Sequence, residues 1–352
     1  MPRQLRIGPD LISDDSPCYV IAEIGHNHQG QIKTALELFR AAKECGANSV
    51  KLQKRDNRNL YTRAMYDKPY ENENSFGLTY GAHREALEFG RDEYVELQNY
   101  AHELGLTMFA TAFDFGSADF LADLDMPAYK IASGDLTNIP LIKHVAGLQK
   151  PVLVSTGGGT MADVQRVYDA IMPINPDLCL LQCTASYPAK PQAMNLRVIT
   201  TFRETFPNVT VGLSDHQNGI SMSVAAYVLG ARVIEKHFTL NHASKGTDHA
   251  FSLEPIGMRK MVRDLQRTGQ ALGDGVKQPQ PDEIGALFKM GKKLVAAHDL
   301  PAGHALQPAD IAIKSPNDGL PPYYLDRLIG KVIRRAFVAD QEFVMADLEE
   351  HA

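Results

Sequence analysis

Two histidines in the second half of the chain have the setting expected of a metal site. His216 ends the run Leu-Ser-Asp-His, and His237 lies in Ile-Glu-Lys-His-Phe, so each histidine closes a short β-type run. Histidines at the ends of neighbouring strands can converge on one divalent metal. The polar segment from Gly246 to Pro255 follows the second histidine. This pattern favours an enzyme.

Polar and ionisable side chains also end the earlier apolar runs of the chain. They are Glu23, Asn27, Lys51, Gln53, Thr111, Lys130, Ser133, Ser155, Thr184 and Tyr187, and the last two runs add Ser214 and Glu235. Ser214 and His216 lie two residues apart, as do Glu235 and His237, so each pair shares one face of a strand.

Eight apolar, β-branched runs alternate with amphipathic stretches that have apolar residues three and four apart. The runs are Cys18 to Gly25, Ser49 to Gln53, Thr107 to Phe113, Ala128 to Ser133, Pro151 to Thr156, Leu178 to Thr184, Thr210 to Asp215 and Arg232 to Phe238. The alternation predicts an α/β fold, a closed (β/α)₈ TIM barrel, with an open doubly wound sheet as the alternative. A barrel would gather the polar strand ends into one bowl.

Composition narrows the choice of partners and location. The net charge is −6 with 22% charged residues and no sustained basic run, so we expect no nucleic-acid partner. We also expect no membrane partner, because no apolar stretch approaches 18 residues and no signal peptide is recognisable. The four cysteines show neither disulfide nor zinc spacing, which fits a reducing cytoplasm.

A second, smaller domain is predicted at the carboxyl end. We expect the barrel over 1–275, a linker over 276–287 and a mainly-β domain over 288–352. The linker is predicted because glycine and proline residues, which interrupt helices and strands, occur around this segment. The last domain repeats itself, because the run from Leu300 to Ile311 aligns without gaps on the run from Phe337 to Leu348. This duplication predicts two small strand-turn-strand units packed about a pseudo-twofold axis.

The motifs together resemble the sialic acid (N-acetylneuraminate) synthase family. The resemblance covers nearly the whole chain and rests on the order of motifs that would each be weak alone. They are Ala22-Glu-Ile-Gly25 with Asn27, Lys51-Leu-Gln53, the segment Ser75 to Arg84, Lys130-Ile-Ala-Ser-Gly134, Gln182 to Pro188, Ser214-Asp-His216, Glu235-Lys-His237 and Gly246 to Pro255. The duplicated tail resembles the antifreeze-like (SAF) domain that follows the barrel in this family.

The resemblance implies an activity and a role for each candidate residue. Such enzymes condense phosphoenolpyruvate with an N-acylmannosamine-type sugar, use Mn²⁺ or Mg²⁺, and form homodimers in which each small domain caps the partner's barrel. The implied catalytic residues are Glu23, Glu235, His216 and His237, with both histidines as metal ligands. The implied phosphoenolpyruvate-binding residues are Lys51, Thr111, Lys130, Ser133, Ser155, Thr184 and Ser214. Those implied for the sugar are Gln53, Asp135, Tyr187, Asp248 and Lys314.

Departures from the family pattern bear on the sugar. Lys314-Ser315-Pro316 stands where many bacterial members have Arg-Pro-Gly, and a lysine cannot reproduce the planar fork of an arginine. Other segments are closer to animal-type synthases, some of which accept a 6-phosphorylated sugar. The hypothesis that follows is that Lys54 and Arg55 meet the extra phosphate.

Other functions remain open from the residues alone. A diacetamido-trideoxyhexose substrate would make the chain a legionaminate or pseudaminate synthase, and a shorter aldose phosphate is a further choice. A class I aldolase could use Lys130 or Lys51 as a Schiff base. A non-catalytic binding protein is disfavoured, because a structural barrel has no need to bury so many ionisable groups together.

Overall fold

The computed structural model describes residues 3–348 and divides the chain after Gly273 into two compact units. In the first unit, eight parallel strands close into a barrel in the order β10-β3-β4-β5-β6-β7-β8-β9. The strands of the chain are β1 (Gln4–Ile7), β2 (Asp10–Ser13), β3 (Tyr19–Gly25), β4 (Ser49–Lys54), β5 (Thr107–Ala112), β6 (Tyr129–Ile131), β7 (Val152–Ser155), β8 (Leu178–Cys183), β9 (Thr210–Asp215), β10 (Val233–His237), β11 (Lys293–Ala296) and β12 (Ile311–Lys314).

Helices follow the barrel strands and bury their apolar faces on the outside of the sheet. The helices of the described chain are α1 (Ile32–Glu44), α2 (Asn57–Leu60), α3 (Arg63–Tyr66), α4 (Tyr80–Glu85), α5 (Arg91–Glu103), α6 (Phe115–Asp123), α7 (Ile139–Gly147), α8 (Met161–Ile171), α9 (Val198–Thr205), α10 (Ser221–Val228) and α11 (Pro255–Leu272) in the first unit, and α12 (Ile284–Met290) and α13 (Leu325–Leu328) in the second. No helix within residues 3–348 combines the length and apolar character needed to cross a membrane.

The predicted α/β barrel is confirmed, and the predicted strands match the observed ones to within a few residues. One of the amphipathic stretches between the strands forms α8, Met161–Ile171. Thr160 caps it, because its hydroxyl accepts from the Asp163 N–H while the Asp163 carboxylate accepts from the Thr160 N–H. The strands could be predicted from the sequence because a parallel strand that is buried on both faces consists of a continuous run of apolar residues.

The barrel interior is built in two layers by the alternation of side chains along each strand. The amino-terminal layer is apolar and contains Tyr19, Ile21, Phe109, Leu153, Cys179, Leu181 and Val233. The residues two positions further along the same strands are polar, for example Glu23 after Ile21 and Glu235 after Val233. Because inward positions recur every second residue, one strand supplies both the apolar layer and the site above it.

An amino-terminal hairpin, which we did not predict, packs against the apolar layer. Strands β1 and β2 pair antiparallel, with Leu5 opposite Ile12. Leu5, Ile7 and Ile12 are at most 1% exposed and belong to the same core cluster as the inward residues at the amino ends of the strands. The hairpin therefore covers that end of the barrel and leaves the carboxyl end for chemistry. Each strand has just four residues, which is too short for a periodicity argument.

The second unit has its own small core around the antiparallel pair β11 and β12. Leu300 and Phe337 occupy equivalent positions in the two sequence repeats, and each N–H donates to the other's carbonyl at 2.8 and 2.9 Å. Two equivalent residues that exchange hydrogen bonds are what a pseudo-twofold axis requires. The segment 276–287, expected as a linker, contains a short 3₁₀ turn and the start of α12.

The hairpin contributes to stability through burial, and two leucines in it offer a matched test. Leu5 is 1% exposed, whereas Leu11 on the neighbouring strand is 47% exposed. We expect Leu5→Ala to lower the free energy of unfolding by about 3 kcal/mol, because it removes buried methyl groups and leaves a cavity. Leu11→Ala should change it by less than about 0.5 kcal/mol. Urea titrations followed by circular dichroism measure both, and equal losses would contradict the packing described.

Candidate active site

A cavity of about 570 Å³ opens at the carboxyl ends of the barrel strands. Its volume falls within the range of about 300–1,000 Å³ that is typical of small-molecule sites. All but three of the residues predicted for the site line it. They are Glu23, Lys51, Gln53, Thr111, Lys130, Ser133, Ser155, Tyr187, Ser214, His216, Glu235, His237 and Asp248.

Two lysines and two glutamates form a buried ionic cluster at the floor of the cavity. Lys51 Nζ lies 2.6 Å from Glu23 Oε2 and 3.7 Å from Glu235 Oε2. Lys130 Nζ lies 3.7 Å from Glu235 Oε1. No side chain of the four is more than 5% exposed. The two positive charges balance the two negative charges, which is the condition under which ionised groups remain buried.

Hydroxyl groups from neighbouring strands complete this cluster. Lys51 donates to Thr111 Oγ1 at 2.8 Å, and Lys130 donates to Ser155 Oγ at 2.7 Å. Ser214 Oγ donates to Glu235 Oε1 at 2.9 Å. Since each of these residues points inward from its own strand, the closed barrel brings together groups that lie far apart in sequence.

The two glutamates have opposite pKa shifts. Burial raises the pKa of Glu23 and outweighs the effect of the Lys51 ammonium group. Burial also acts to raise the pKa of Glu235, but the Lys130 and Lys51 ammonium groups prevail and lower it to about 2. Burial lowers the pKa of Lys130. Carboxyl groups whose pKa values are driven apart in one site take different chemical roles.

The two predicted histidine ligands lie side by side above the cluster, with ring centroids 5.3 Å apart. His216 Nδ1 donates to the Thr184 carbonyl at 3.0 Å, which leaves the Nε2 lone pair free. Burial lowers the pKa of His237, so its imidazole is neutral at pH 7. His237 Nδ1 is buried, makes no hydrogen bond in the described structure and lies 3.6 Å from Asp248 Oδ2.

These histidines fit a divalent metal as a pair. Neutral imidazoles are metal ligands, and the backbone contact of His216 fixes its orientation in the usual manner of a coordinating histidine. No group of three His, Cys, Asp or Glu residues placed to hold a metal occurs among residues 3–348. The protein would thus supply two ligands, and the remaining coordination positions would fall to water or substrate.

A glycine allows three polar side chains to converge beside the ionic cluster. Gly25 has φ +53°, and a Cβ there would lie 3.3 to 3.4 Å from Gln53 Nε2, Glu23 Oε1 and Asp248 Oδ2. Gln53 donates to Glu23 Oε1 at 2.7 Å. A larger residue at position 25 would be strained by its backbone conformation and would crowd these groups.

Comparison with known proteins identifies the family. The sequence matches the NeuB family over residues 38–277 and the SAF domain over residues 293–349. The chain is 39% identical over 354 residues to an N-acetylneuraminate-9-phosphate synthase of Mus musculus, covering 100% of this chain and 99% of the relative. It is 33% identical over 319 residues to an N,N'-diacetyllegionaminic acid synthase of Legionella pneumophila, covering 89% of each.

A solved structure supports the same conclusion. The N-acetylneuraminic acid (sialic acid) synthetase of Leptospira borgpetersenii, in complex with citrate, superposes with a TM-score of 0.71 at 28% identity, covering 82% of this chain and 96% of that one.

The chain belongs to the NeuB family. It is therefore a phosphoenolpyruvate-condensing synthase, a transferase that makes a nonulosonic acid. Relatives between 30% and 39% identical divide among sialic, legionaminic and pseudaminic acid synthases, so family membership leaves the sugar open.

Three residues predicted for the site of this NeuB-family enzyme are not among those that line the cavity. Thr184 Oγ1 donates to the Ala193 carbonyl at 3.0 Å, and its own carbonyl accepts from His216, so Thr184 positions a histidine. Asp135 lies in a 3₁₀ turn and accepts from Asn138 Nδ2 at 3.1 Å. Lys314 belongs to the second unit, where its ammonium group contacts Asp340.

Several cavity residues were not among the catalytic, substrate-binding or metal-binding residues predicted above, although Arg55 was a hypothesis for an extra phosphate. They are His26, Arg55, Asn74, Arg84, Cys183 and Thr247. Arg55 could have been predicted from the sequence. It lies two residues after Gln53 and four after Lys51, so alternation places all three side chains on one face of the strand. Arg84 and Asn74 come from the long connection between β4 and α5, which has no periodicity that could have placed them.

The charge balance of the buried cluster leads to a stability prediction. Glu235→Gln should lower the free energy of unfolding by about 3 kcal/mol, because Lys51 and Lys130 would then share one carboxylate. Glu96→Gln, at an exposed position on α5, is the control and should change it by less than about 0.5 kcal/mol. Urea unfolding at pH 7 compares the two, and a neutral Glu235→Gln would mean that the cluster is not a balanced unit.

Proposed function

We propose that this chain condenses phosphoenolpyruvate with N-acetylmannosamine or its 6-phosphate, giving a nine-carbon 2-keto acid and releasing phosphate by C–O cleavage. The observation that supports the reaction best is the buried cluster of two lysines and two glutamates directly below the paired histidines. The relative from Mus musculus, which matches over the full chain, supports the choice of sugar.

Phosphoenolpyruvate binds at the lysine end of the cavity. It carries close to three negative charges at neutral pH, so it needs cations and hydrogen-bond donors. Lys51 and Lys130 supply the cations, and the hydroxyls of Thr111, Ser133, Ser155 and Ser214 line the same wall. Thr184 contributes to this site through its contact with His216.

The two glutamates divide the work of the reaction. As the new carbon–carbon bond forms, positive charge develops at C2 of phosphoenolpyruvate. Glu235 stays ionised, because Lys51, Lys130 and Ser214 surround its carboxylate, and it stabilises this charge. Glu23 has the raised pKa suited to proton transfer and takes the proton from the water that attacks C2.

His216 and His237 hold the divalent metal, which we propose to be Mn²⁺ or Mg²⁺. A bound metal supplies a Lewis acid that polarises the aldehyde carbonyl of the open-chain sugar. The chain orients the two imidazoles through the Thr184 carbonyl and the nearby Asp248 carboxylate.

The sugar lies against Gln53, Tyr187 and Asp248, which also line the cavity. Asp135 and Lys314 remain predictions for sugar binding. Lys314 would reach a sugar in the family's manner, within a domain-swapped homodimer in which the second unit of one chain caps the partner's barrel. The predicted cytoplasmic location also remains a prediction.

A second candidate function is the synthesis of legionaminic or pseudaminic acid from a diacetamido-trideoxyhexose. The relatives with these activities, 30% to 33% identical, favour it as the alternative. A Schiff-base aldolase that uses Lys130 or Lys51 is less favoured, because the relatives that match over most of the chain are named as synthases.

The reaction is tested by phosphate release from phosphoenolpyruvate. With Mn²⁺ present, we expect release when N-acetylmannosamine or its 6-phosphate is supplied, none with the diacetamido sugar, and loss of release in EDTA. With phosphoenolpyruvate labelled with ¹⁸O at the bridging oxygen, the label should leave with phosphate. Release with the diacetamido sugar alone would establish the second candidate, and trapping of a pyruvate adduct by borohydride would establish an aldolase.

The proton-transfer role of Glu23 predicts a loss in kcat. Glu23→Gln keeps the approximate shape of the side chain but cannot accept a proton, so kcat should fall about 100- to 10,000-fold. The KM for phosphoenolpyruvate should change much less, since Lys51 and Lys130 remain. Glu96→Gln again serves as the control. A Glu23→Gln enzyme that is folded and retains its kcat would assign the proton transfer elsewhere.

A further inference from the structure

A second group of cationic side chains lines the cavity beyond Gln53. We define the arginine pocket as His26, Arg55 and Arg84, all of which lie on the cavity wall. The guanidinium of Arg55 is stacked on the Phe113 ring at 3.7 Å, and the residue is 7% exposed. Arg84 donates twice to the Tyr80 hydroxyl, at 2.8 and 3.1 Å. Both arginines are therefore held in place before any ligand binds.

His26 is flanked by an arginine on each ring nitrogen. Arg55 Nη1 lies 2.9 Å from His26 Nε2, and Arg84 Nη1 lies 3.2 Å from His26 Nδ1. A neutral imidazole has a lone pair on one nitrogen only, and guanidinium groups have no acceptor. In one of the two contacts, an N–H of the arginine therefore faces the N–H of the imidazole, and no hydrogen bond forms there. Burial, with the two neighbouring arginines, lowers the pKa of His26, so protonation does not relieve the conflict but would worsen it.

The carboxylates near the arginine pocket do not balance its charge. Glu88 lies 4.0 Å from Arg55 Nη1, but it also pairs with Lys54 at 3.2 Å. Arg84 forms no ion pair with a carboxylate within residues 3–348. Within ion-pair distance, one carboxylate therefore faces both Lys54 and Arg55 and none faces Arg84, while Asp135 and Asp248 act on the two arginines from farther away. Buried cations without matching anions are costly, and an anionic ligand would offset that cost.

We propose that the arginine pocket binds a phosphate group carried by the sugar at the end remote from its aldehyde. The inference rests on the proposed function. Of the two sugars proposed there, N-acetylmannosamine and its 6-phosphate, it favours the 6-phosphate. Two planar guanidinium forks match phosphate oxygens, and those oxygens accept from the N–H groups that now face one another. Lys54, which we had expected to share this role, pairs with Glu88 and does not line the cavity.

The pocket lies at the right place along the cavity for this role. Gln53 links the two ends, because it donates to Glu23 at 2.7 Å and accepts from Arg55 at 2.6 Å. Asp248 lies beside His237 and also lines a small recess together with Arg84. A sugar whose aldehyde faces the histidines would lie along Gln53 and Asp248 and place its far end at the arginines.

The test compares kcat/KM for N-acetylmannosamine 6-phosphate with kcat/KM for N-acetylmannosamine. We expect the native enzyme to prefer the phosphorylated sugar. In Arg55→Gln and Arg84→Gln, the ratio of the two values should fall about 10- to 100-fold, as for the loss of a charged hydrogen-bond pair. Arg55→Lys should recover part of the ratio, since it keeps the charge but not the fork. Arg63→Gln, with a side chain 96% exposed, is the matched control and should leave the ratio unchanged.

A binding measurement keeps the test decisive if turnover fails or if Arg55→Gln does not fold. N-acetylmannosamine 6-phosphate should raise the midpoint of thermal unfolding of the native enzyme more than the free sugar does, and Arg84→Gln should abolish the difference. If no sugar supports phosphate release, the proposed function fails. The change in the midpoint of thermal unfolding would still show whether the arginine pocket binds the sugar phosphate.

Three outcomes would overturn the proposal. An unchanged ratio in both arginine variants would mean that the pocket does not contact the distinguishing group. A midpoint shift from inorganic phosphate that equals the shift from the sugar phosphate, and that is lost in Arg84→Gln, would make the pocket a site for free phosphate. A preference for N-acetylmannosaminuronic acid over the 6-phosphate would assign the pocket to a carboxylate.

Discussion

The buried ionic cluster is the constraint on which the rest of the site depends. Two lysines and two glutamates remain charged inside the barrel only because their charges balance and hydroxyls from adjacent strands satisfy their hydrogen bonds. Lys51 and Lys130 can then receive a highly charged substrate without large rearrangement. The same arrangement separates the pKa values of Glu23 and Glu235, so that two identical side chains do different work.

The barrel can hold this cluster because its other end is closed and apolar. The amino-terminal hairpin and the first inward layer form one core, which supplies the hydrophobic stabilisation that the polar layer lacks. Strands such as β3 and β10 thus contribute a stabilising residue and a polar cavity residue two positions apart. This division between an apolar floor and a polar bowl allows the chemistry to vary at the strand ends without loss of the fold.

The cavity contains two cationic regions with different character. The lysine region is neutralised by carboxylates of the chain, whereas the arginine pocket is not. In the proposed reaction, phosphoenolpyruvate binds at the first region, and the proposed sugar phosphate binds at the other. The NeuB family includes relatives named for phosphorylated and for unphosphorylated products, so a pocket of this kind is where members of the family can differ.

The sequence by itself determined the barrel, its strands and most of the cavity wall, because inward positions recur every second residue and strand ends must meet in a closed barrel. It also showed the duplication in the second unit. Only the tertiary structure determined which groups form pairs, for instance the ion pair between Lys54 and Glu88. It also placed Asp135 outside the cavity lining, in a hydrogen bond with Asn138. The tertiary structure also formed the arginine pocket. Arg84 comes from a connection without periodicity, and it contacts His26 because the fold brings the two residues together. Contacts between such distant residues depend on the packing of the whole chain, which local pattern does not encode.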